Sequence, residues 1–380
     1  MSRWSKVLLG EVLEPYQEPH DVDIERSYPN AGIFNNGRGM FRRQDISGAT
    51  RSASVLYRIA KGDFIYSRLK AFEGAYTVVP DELDGCFVSN EFPTFKCDPK
   101  RLLPDFLRWY FKQPPVWKAL AVGSKGMGNR RERLHPDRIM EFAISLPPLD
   151  EQRRIVAQLD AVAGRIADRT VAATTVGDEL ATTLRNAFAK ITEGVPRRPM
   201  AEIAPLVRRP VEIDLDSAYP ELGVRSFGRG TFHKPPLPGG EVGTKKLFEI
   251  HTDDLVFNIV FAWEGAVAVA SHADHGRFGS HRFLTCVPIS ERSTSHFLRF
   301  FFSTSDGLKL LDKASPGGAG RNRTLGLKAL EAIEAPVPPL DAQQWFDALQ
   351  AKAGAVRAAQ AVAIADLDRL LPSLLHQAFG

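Results

Sequence analysis

The sequence predicts an α+β protein with a pseudo-twofold internal repeat, in which two similar α/β halves are joined by two long helices pairing as an antiparallel coiled coil. Three observations carry this. Shifted by 191 positions, the chain aligns with itself without a gap: Gly32, Gly37, Arg38, Gly39 and Phe41 fall on Gly223, Gly228, Arg229, Gly230 and Phe232. Residues 56–79 match 247–270 at eight of 24 positions, among them Asp63/Asp254, Ala71/Ala262, Glu73/Glu264 and Gly74/Gly265. Each half then passes from short apolar runs broken by turn residues into a long stretch with heptad spacing. At 380 residues the chain exceeds what one core normally organises, so two domains or more are expected.

In the first half, Val55–Ile59, Phe64–Ser67, Ala75–Val79 and Phe87–Phe95 read as strands, rich in β-branched and aromatic residues. Phe106, Trp109, Tyr110, Val116, Trp117 and Leu120 recur at helical spacing, interrupted at Pro114-Pro115, and are expected in the core. Their counterparts run Phe297, Leu298, Phe300, Phe301 and Phe302. Pro147-Pro148-Leu149-Asp150-Glu151-Gln152 then opens a helix, since proline stops what precedes and acids suit the positive end of the helix dipole. Ile155, Leu159, Val162, Ile166, Arg169, Ala173, Val176 and Leu180 continue it as a seam with one polar member. Pro338-Pro339-Leu340-Asp341-Ala342-Gln343 repeats the entry at five of six positions. A less regular seam follows: Phe346, Leu349, Ala353, Val356, Ile364, Leu367, Leu371 and Leu374.

Two variable globular parts alternating with two helices, each entered through Pro-Pro-Leu-Asp-x-Gln, resemble the specificity (S) subunit of type I restriction–modification systems. The likeness is strongest at Pro147–Gln152 with the following Arg153-Arg154-Ile155-Val156, and it extends over essentially the whole chain. Ala342, where an acid is usual, and Trp345-Phe346 depart from the pattern. The resemblance implies two target recognition domains, 1–146 and 195–337, each reading one half of a split asymmetric DNA sequence, with helical spacers at 147–194 and 338–380. It implies double-stranded DNA, two methyltransferase (M) subunits and two motor-nuclease (R) subunits as partners. S-adenosylmethionine, ATP and magnesium are then expected on those partners, with no cofactor on this chain.

The residues agree with a non-catalytic subunit. None of the Pro-Pro pairs fits the [DNS]-Pro-Pro-[YFW] motif of an adenine methyltransferase, and no GxxxxGK[ST] phosphate loop is present. Asp63 and Asp105 lack a Glu-x-Lys companion suited to a metal-dependent nuclease. His272, His275 and His281 align with Asp81, Asp84 and Asn90 and read as a polar loop rather than a metal site. The lone carboxylates Glu73 and Glu264 read as turn residues that tie a backbone amide.

Base and phosphate contacts need Arg, Lys, Asn, Gln and closely approaching backbone. Two places in each half offer them. One is the Gly-Arg-Gly turn, with Arg38, Arg42 and Arg43 in the first half and Arg225, Arg229 and Lys234 in the second. The other is a basic, glycine-rich loop, with Lys125, Asn129, Arg130, Arg131 and Arg133 answered by Arg321, Asn322 and Arg323. Each reads either as DNA contact or as a solvated turn. Net charge is only +4 and does not identify a nucleic-acid binder by itself. A hydrophobic fraction of 44% with 25% charged residues excludes a mainly disordered chain. The lack of any run of about eighteen apolar residues predicts no membrane span. The short patch Val7-Leu8-Leu9 argues against a secretory signal. Three cysteines without CxxC spacing point to a reducing cytoplasm. Competing readings are a coiled-coil protein adaptor and the specificity chain of a methylation-only or related phage-defence system.

Overall fold

The computed structural model describes residues 4–50, 54–121, 133–317 and 323–380. Two compact units emerge: Met1–Ala173 with Gln360–Gly380, and Thr174–Ala359. In the first unit the elements are β1 (Lys6–Leu8), β2 (Leu13–Pro15), β3 (Glu18–Asp21), β4 (Ser27–Ile33), β5 (Met40–Ser47), β6 (Val55–Arg58), β7 (Phe64–Tyr66), β8 (Tyr76–Val78), β9 (Phe87–Val88), β10 (Thr94–Cys97), α1 (Pro104–Tyr110), α2 (Pro114–Ala121), α3 (Pro136–Met140) and β11 (Ala143–Ser145). The helix α4 (Leu149–Thr192) begins in this unit and ends in the second. There follow β12 (Arg197–Pro199), α5 (Met200–Ile203), β13 (Leu206–Val207), β14 (Ala218–Val224), β15 (Thr231–Pro238), α6 (Gly239–Val242), β16 (Leu247–Ile250), β17 (Leu255–Asn258), β18 (Val267–Val269), β19 (Arg277–Ser280), β20 (Phe283–Cys286), α7 (Ser295–Phe301), α8 (Ser305–Lys313), α9 (Leu327–Glu331), β21 (Glu334–Pro336) and α10 (Leu340–Phe379).

The repeat is written into the topology. The first unit pairs β1 with β11, orders a four-stranded sheet β2-β10-β7-β8, and orders a second sheet β3-β6-β9-β4-β5. The second unit pairs β12 with β21 and orders its sheets β13-β20-β17-β18 and β15-β14-β19-β16. The place of β3 is held by a single bridge, Pro210 to Phe248. Offset by 191, β4 and β5 coincide with β14 and β15, and α1, α3 and α4 start where α7, α9 and α10 start. Phe87–Phe95, expected as one strand, is two. Pro93 and the polar turn before it break the run, so β9 joins one sheet and β10 the other. That break lets one short segment stitch both sheets of the unit together.

Each core is aromatic. Phe64, Tyr66, Tyr76, Phe95, Phe106, Trp109 and Phe111 are fully buried in the first unit, and Phe257, Phe297, Phe301, Phe302 and Phe346 in the second. At about 25 cal/mol per Å² of apolar surface, each such ring contributes on the order of 3 kcal/mol to burial. The start of α4 (Ile155, Val156, Leu159) shares the first unit's core with the end of α10 (Leu371, Leu374, Leu375, Phe379). The end of α4 (Leu184, Phe188) shares the second unit's core with the start of α10 (Phe346, Leu349, Ala353), Phe188 and Phe346 meeting at 5.6 Å between ring centroids. The two helices therefore run antiparallel. Val356, expected in the seam, is exposed. Pro372 sits inside α10 without ending it, on an exposed face where the lost hydrogen bond faces solvent. Among the described residues no helix is long and apolar enough to cross a membrane.

The helix entries explain the hexapeptide motif. Gln152 is fully buried: its Oε1 accepts from Leu103 N at 2.8 Å, and its Nε2 donates to Arg101 O and Pro147 O, both at 2.8 Å. Gln343 repeats the arrangement with Thr294 N at 3.1 Å and Arg292 O and Pro338 O at 2.9 Å. A glutamine is required because one terminal group must accept while the other donates twice. Each long helix is thereby pinned to its globular part at its first turn.

Candidate nucleic-acid interface

The turn between β4 and β5 runs Asn35-Asn36-Gly37-Arg38-Gly39, and its counterpart lies between β14 and β15. Asn36, Gly37 and Gly39 have φ of 61°, 62° and 89°; Phe227, Gly228 and Gly230 have 60°, 64° and 76°. Left-handed backbone at three of four successive residues explains the glycines. The turn is fastened to the second repeated motif, Glu73-Gly74. Asn36 N donates to Glu73 O at 2.7 Å and Gly37 N to Gly74 O at 2.8 Å. Phe227 N and Gly228 N do the same to Glu264 O and Gly265 O, at 2.8 and 3.0 Å. The carboxylates reinforce the tie, Glu73 accepting from Asn35 Nδ2 and Glu264 from Ser226 Oγ at 2.8 Å. Two motifs separated by 34 residues or more in sequence are thus one device, presenting the arginine tip in a fixed orientation.

Around that tip, cations lie on aromatic rings. Arg38 stands over Phe34 at 4.9 Å, Phe34 stacks on Phe41 at 4.2 Å between centroids, and Arg43 stands over Phe41 at 5.5 Å. In the second unit Arg225 covers Phe232 at 4.7 Å and Arg229 covers Phe227 at 5.7 Å. Gly32 and Gly223 make room for this ladder. A Cβ at Gly223 would come within 2.3 Å of the Phe232 ring, and one at Gly32 within 2.8 Å of Phe41. Phe34 and Phe227 are exposed. A surface of guanidinium planes and flat rings on a rigid hairpin suits phosphates and bases alike. The rings were not among the sequence candidates, although the Phe41/Phe232 identity was visible.

The remaining candidates divide. Arg42 pairs with Asp45 at 2.8 Å and reaches Cys86 Sγ at 3.3 Å, on the opposite face of β5 from Arg43. Lys234 lies over Phe283 at 5.7 Å. Arg133 is engaged by Glu91 at 3.0 Å and Arg323 by Asp312 at 2.8 Å, so both are held within their own units. Arg323 also covers Trp263 at 5.0 Å. Lys125, Asn129, Arg130, Arg131, Arg321 and Asn322 lie outside the described residues.

Burial pushes the Cys97 and Cys286 thiols up to about 12, which leaves both inert at neutral pH. Asp274 takes the position of Leu83 and is buried in the second unit. Burial alone would raise its pKa, but donors from Ser271 N and Oγ, His233 Nε2 and Thr231 Oγ1, at 2.8 to 3.0 Å, outweigh that and hold it below the usual carboxylate value. Among the described residues no three His, Cys, Asp or Glu side chains are placed to hold a metal ion.

Three solved structures are similar over nearly the entire chain. The HsdS subunit from Thermoanaerobacter tengcongensis aligns with a TM-score of 0.57 and 20% identity, covering 99% of this chain and 96% of that one. A chain solved in work on complex assembly and conformational transition of the type I R-M system aligns at 0.66 and 19%, covering 99% and 97%. This chain has the HsdS fold. The type I S subunit from M. genitalium, at 0.52 and 13%, covers 100% of this HsdS-like chain and 96% of its own. Among curated proteins, the HindI specificity subunit of Haemophilus influenzae is 22% identical over 165 residues, 41% of this chain. That match spans 34% of the relative's length. No family model matches the chain.

Proposed function

We propose that this HsdS-like chain is a sequence-specific DNA-binding subunit without catalysis of its own. It reads a bipartite asymmetric target and directs methyltransferase and restriction subunits to it. The observation that carries the reading is the aromatic-backed arginine turn, built twice on equivalent elements and fastened each time by the same pair of backbone hydrogen bonds. Duplicated readers joined by paired helices match the demands of two half-sites at a set separation and helical phase. Two methyltransferase and two motor-nuclease subunits complete the assembly and carry the S-adenosylmethionine, ATP and magnesium. A cytoplasmic location follows from that role.

A protein adaptor would need the same helices but would have no use for cationic ring stacks repeated in both units. Long-read methylation sequencing of the host, with the gene intact and deleted, is the test. Loss of one split methylated-adenine motif is the expected result. An unchanged methylome in a host whose methyltransferase partner is expressed would sink the proposal.

A further inference from the structure

The two readers differ in one respect that the repeat itself exposes. In the second unit a cleft of about 490 Å³ opens beside the β14–β15 hairpin, walled by Phe232, Phe261 and Phe283 and lined by Lys234, Lys245 and Arg282. Glu221 is the one carboxylate among its described lining residues. Elsewhere in this unit Arg197 pairs with Asp306, Arg198 with Glu202 and Arg209 with Asp254. Among the described residues, no carboxylate lies within ion-pair distance of Lys234, Lys245 or Arg282. Three unpaired cations converging on a concave, ring-walled space are an anion site in search of its anion. Continuity with the reader is direct, because the Phe232 wall is the ring that Arg225 covers.

Subtracting 191 gives the equivalent positions in the first unit. Lys234 becomes Arg43, but Lys245 becomes Ser54 and Arg282 becomes Glu91, which forms an ion pair with Arg133. The same region is thus cationic in one unit and neutral in the other.

The geometry points to a phosphate-binding cleft in the second unit, between Lys234, Lys245 and Arg282, that seats a backbone phosphate of the DNA and has no equivalent in the first unit. This rests on the DNA-binding reading above. Such a contact fixes register without reading sequence, so it anchors one half-site and leaves the other more dependent on its bases. The specificity of the two halves would then be unequal: mismatches in the half-site read by the first unit abolish binding, while those under the second are partly tolerated.

The test uses the full chain and duplex DNA carrying the methylome-derived target, with binding measured across a salt series. The variant Lys245→Ala/Arg282→Ala is expected to lower the slope of log K against log salt by about one, with target and non-target duplexes weakened by the same factor. Both side chains are surface groups without ion-pair partners, so an unchanged thermal midpoint certifies the fold. An Arg38→Ala variant run in parallel reports on the first unit's turn. A wild type with no salt-dependent duplex binding overturns the DNA reading and the cleft together. A wild type that binds while the double variant keeps the full slope overturns the cleft alone. Saturation of the cleft by inorganic phosphate with the slope untouched would make it a free-phosphate site, which also overturns the assignment.

Discussion

Gln152 and Gln343 show how a single side chain can set the attachment of a 44-residue and a 40-residue helix. Gln152→Ala strands Leu103 N, Arg101 O and Pro147 O in a buried site, at a cost of about 3 kcal/mol. Gln343→Ala does the same in the second unit. Limited proteolysis should therefore open the first unit in one variant and the second in the other; cleavage spread evenly over both units would contradict the local role. Gln→Glu should be no better, since it keeps the acceptor and loses both donors. Asp274 gives a pH signature of its own. Its pKa is depressed in the folded state, so its stabilisation is present above the unfolded value near 3.8 and is lost as pH falls through the folded one. Asp274→Ala is expected to cost about 2–3 kcal/mol at neutral pH and to flatten the acid limb of the second unit's stability curve below about pH 4. Hydrogen exchange across the β15 and β19 amides would read it; parallel acid limbs for wild type and variant would refute it.

At the scale of elements, the fastening of the arginine turn to the Glu-Gly turn makes its own prediction. Gly74 has φ of 79°, and a Cβ there would lie 2.5 Å from the Trp117 ring. Gly74→Ala combines a left-handed strain of about 1–2 kcal/mol with an overpacking penalty of similar size. Because Gly37 N donates to Gly74 O, the displacement reaches the Arg38 tip. DNA affinity should fall with Gly74→Ala even though the substituted residue carries no charge; an affinity unchanged after correction for stability would detach the two turns functionally. This coupling is not written in any one-dimensional pattern. The helix starts, the repeat offset and the core aromatics were legible because proline, heptad spacing and identity at a fixed shift are one-dimensional signals. Phe87–Phe95 looked like one strand because its apolar ends share a β propensity, and only the pairing partners show that they belong to different sheets. Arg133 and Arg323 read as candidates for DNA contact because their partners, Glu91 and Asp312, are distant or unremarkable in sequence. The aromatic backing of Arg38 and Arg43 needed strand register to see.

For the whole molecule, the helices are the quantity to alter. At 1.5 Å per residue, α4 with its 44 residues spans about 66 Å and α10 with its 40 about 60 Å. Each helix contributes one end to each compact unit, so it is a covalent link between the two. Four residues inserted into both helices, near Arg169 in α4 and Val362 in α10, lengthen the link by about 6 Å and rotate it by a little more than one turn. On duplex DNA, at about 3.4 Å per base pair, that is close to two additional base pairs between half-sites, with a change of helical phase the readers must absorb. Insertion in only one helix should instead destroy the pairing, because the antiparallel seam would lose register along its whole length. The measurement is the methylated motif produced by each variant. A gap widened by about two base pairs with both half-sites unchanged is the expected result for the double insertion, and loss of methylation for the single one. A double insertion that left the gap untouched would show that the spacing is set outside these helices.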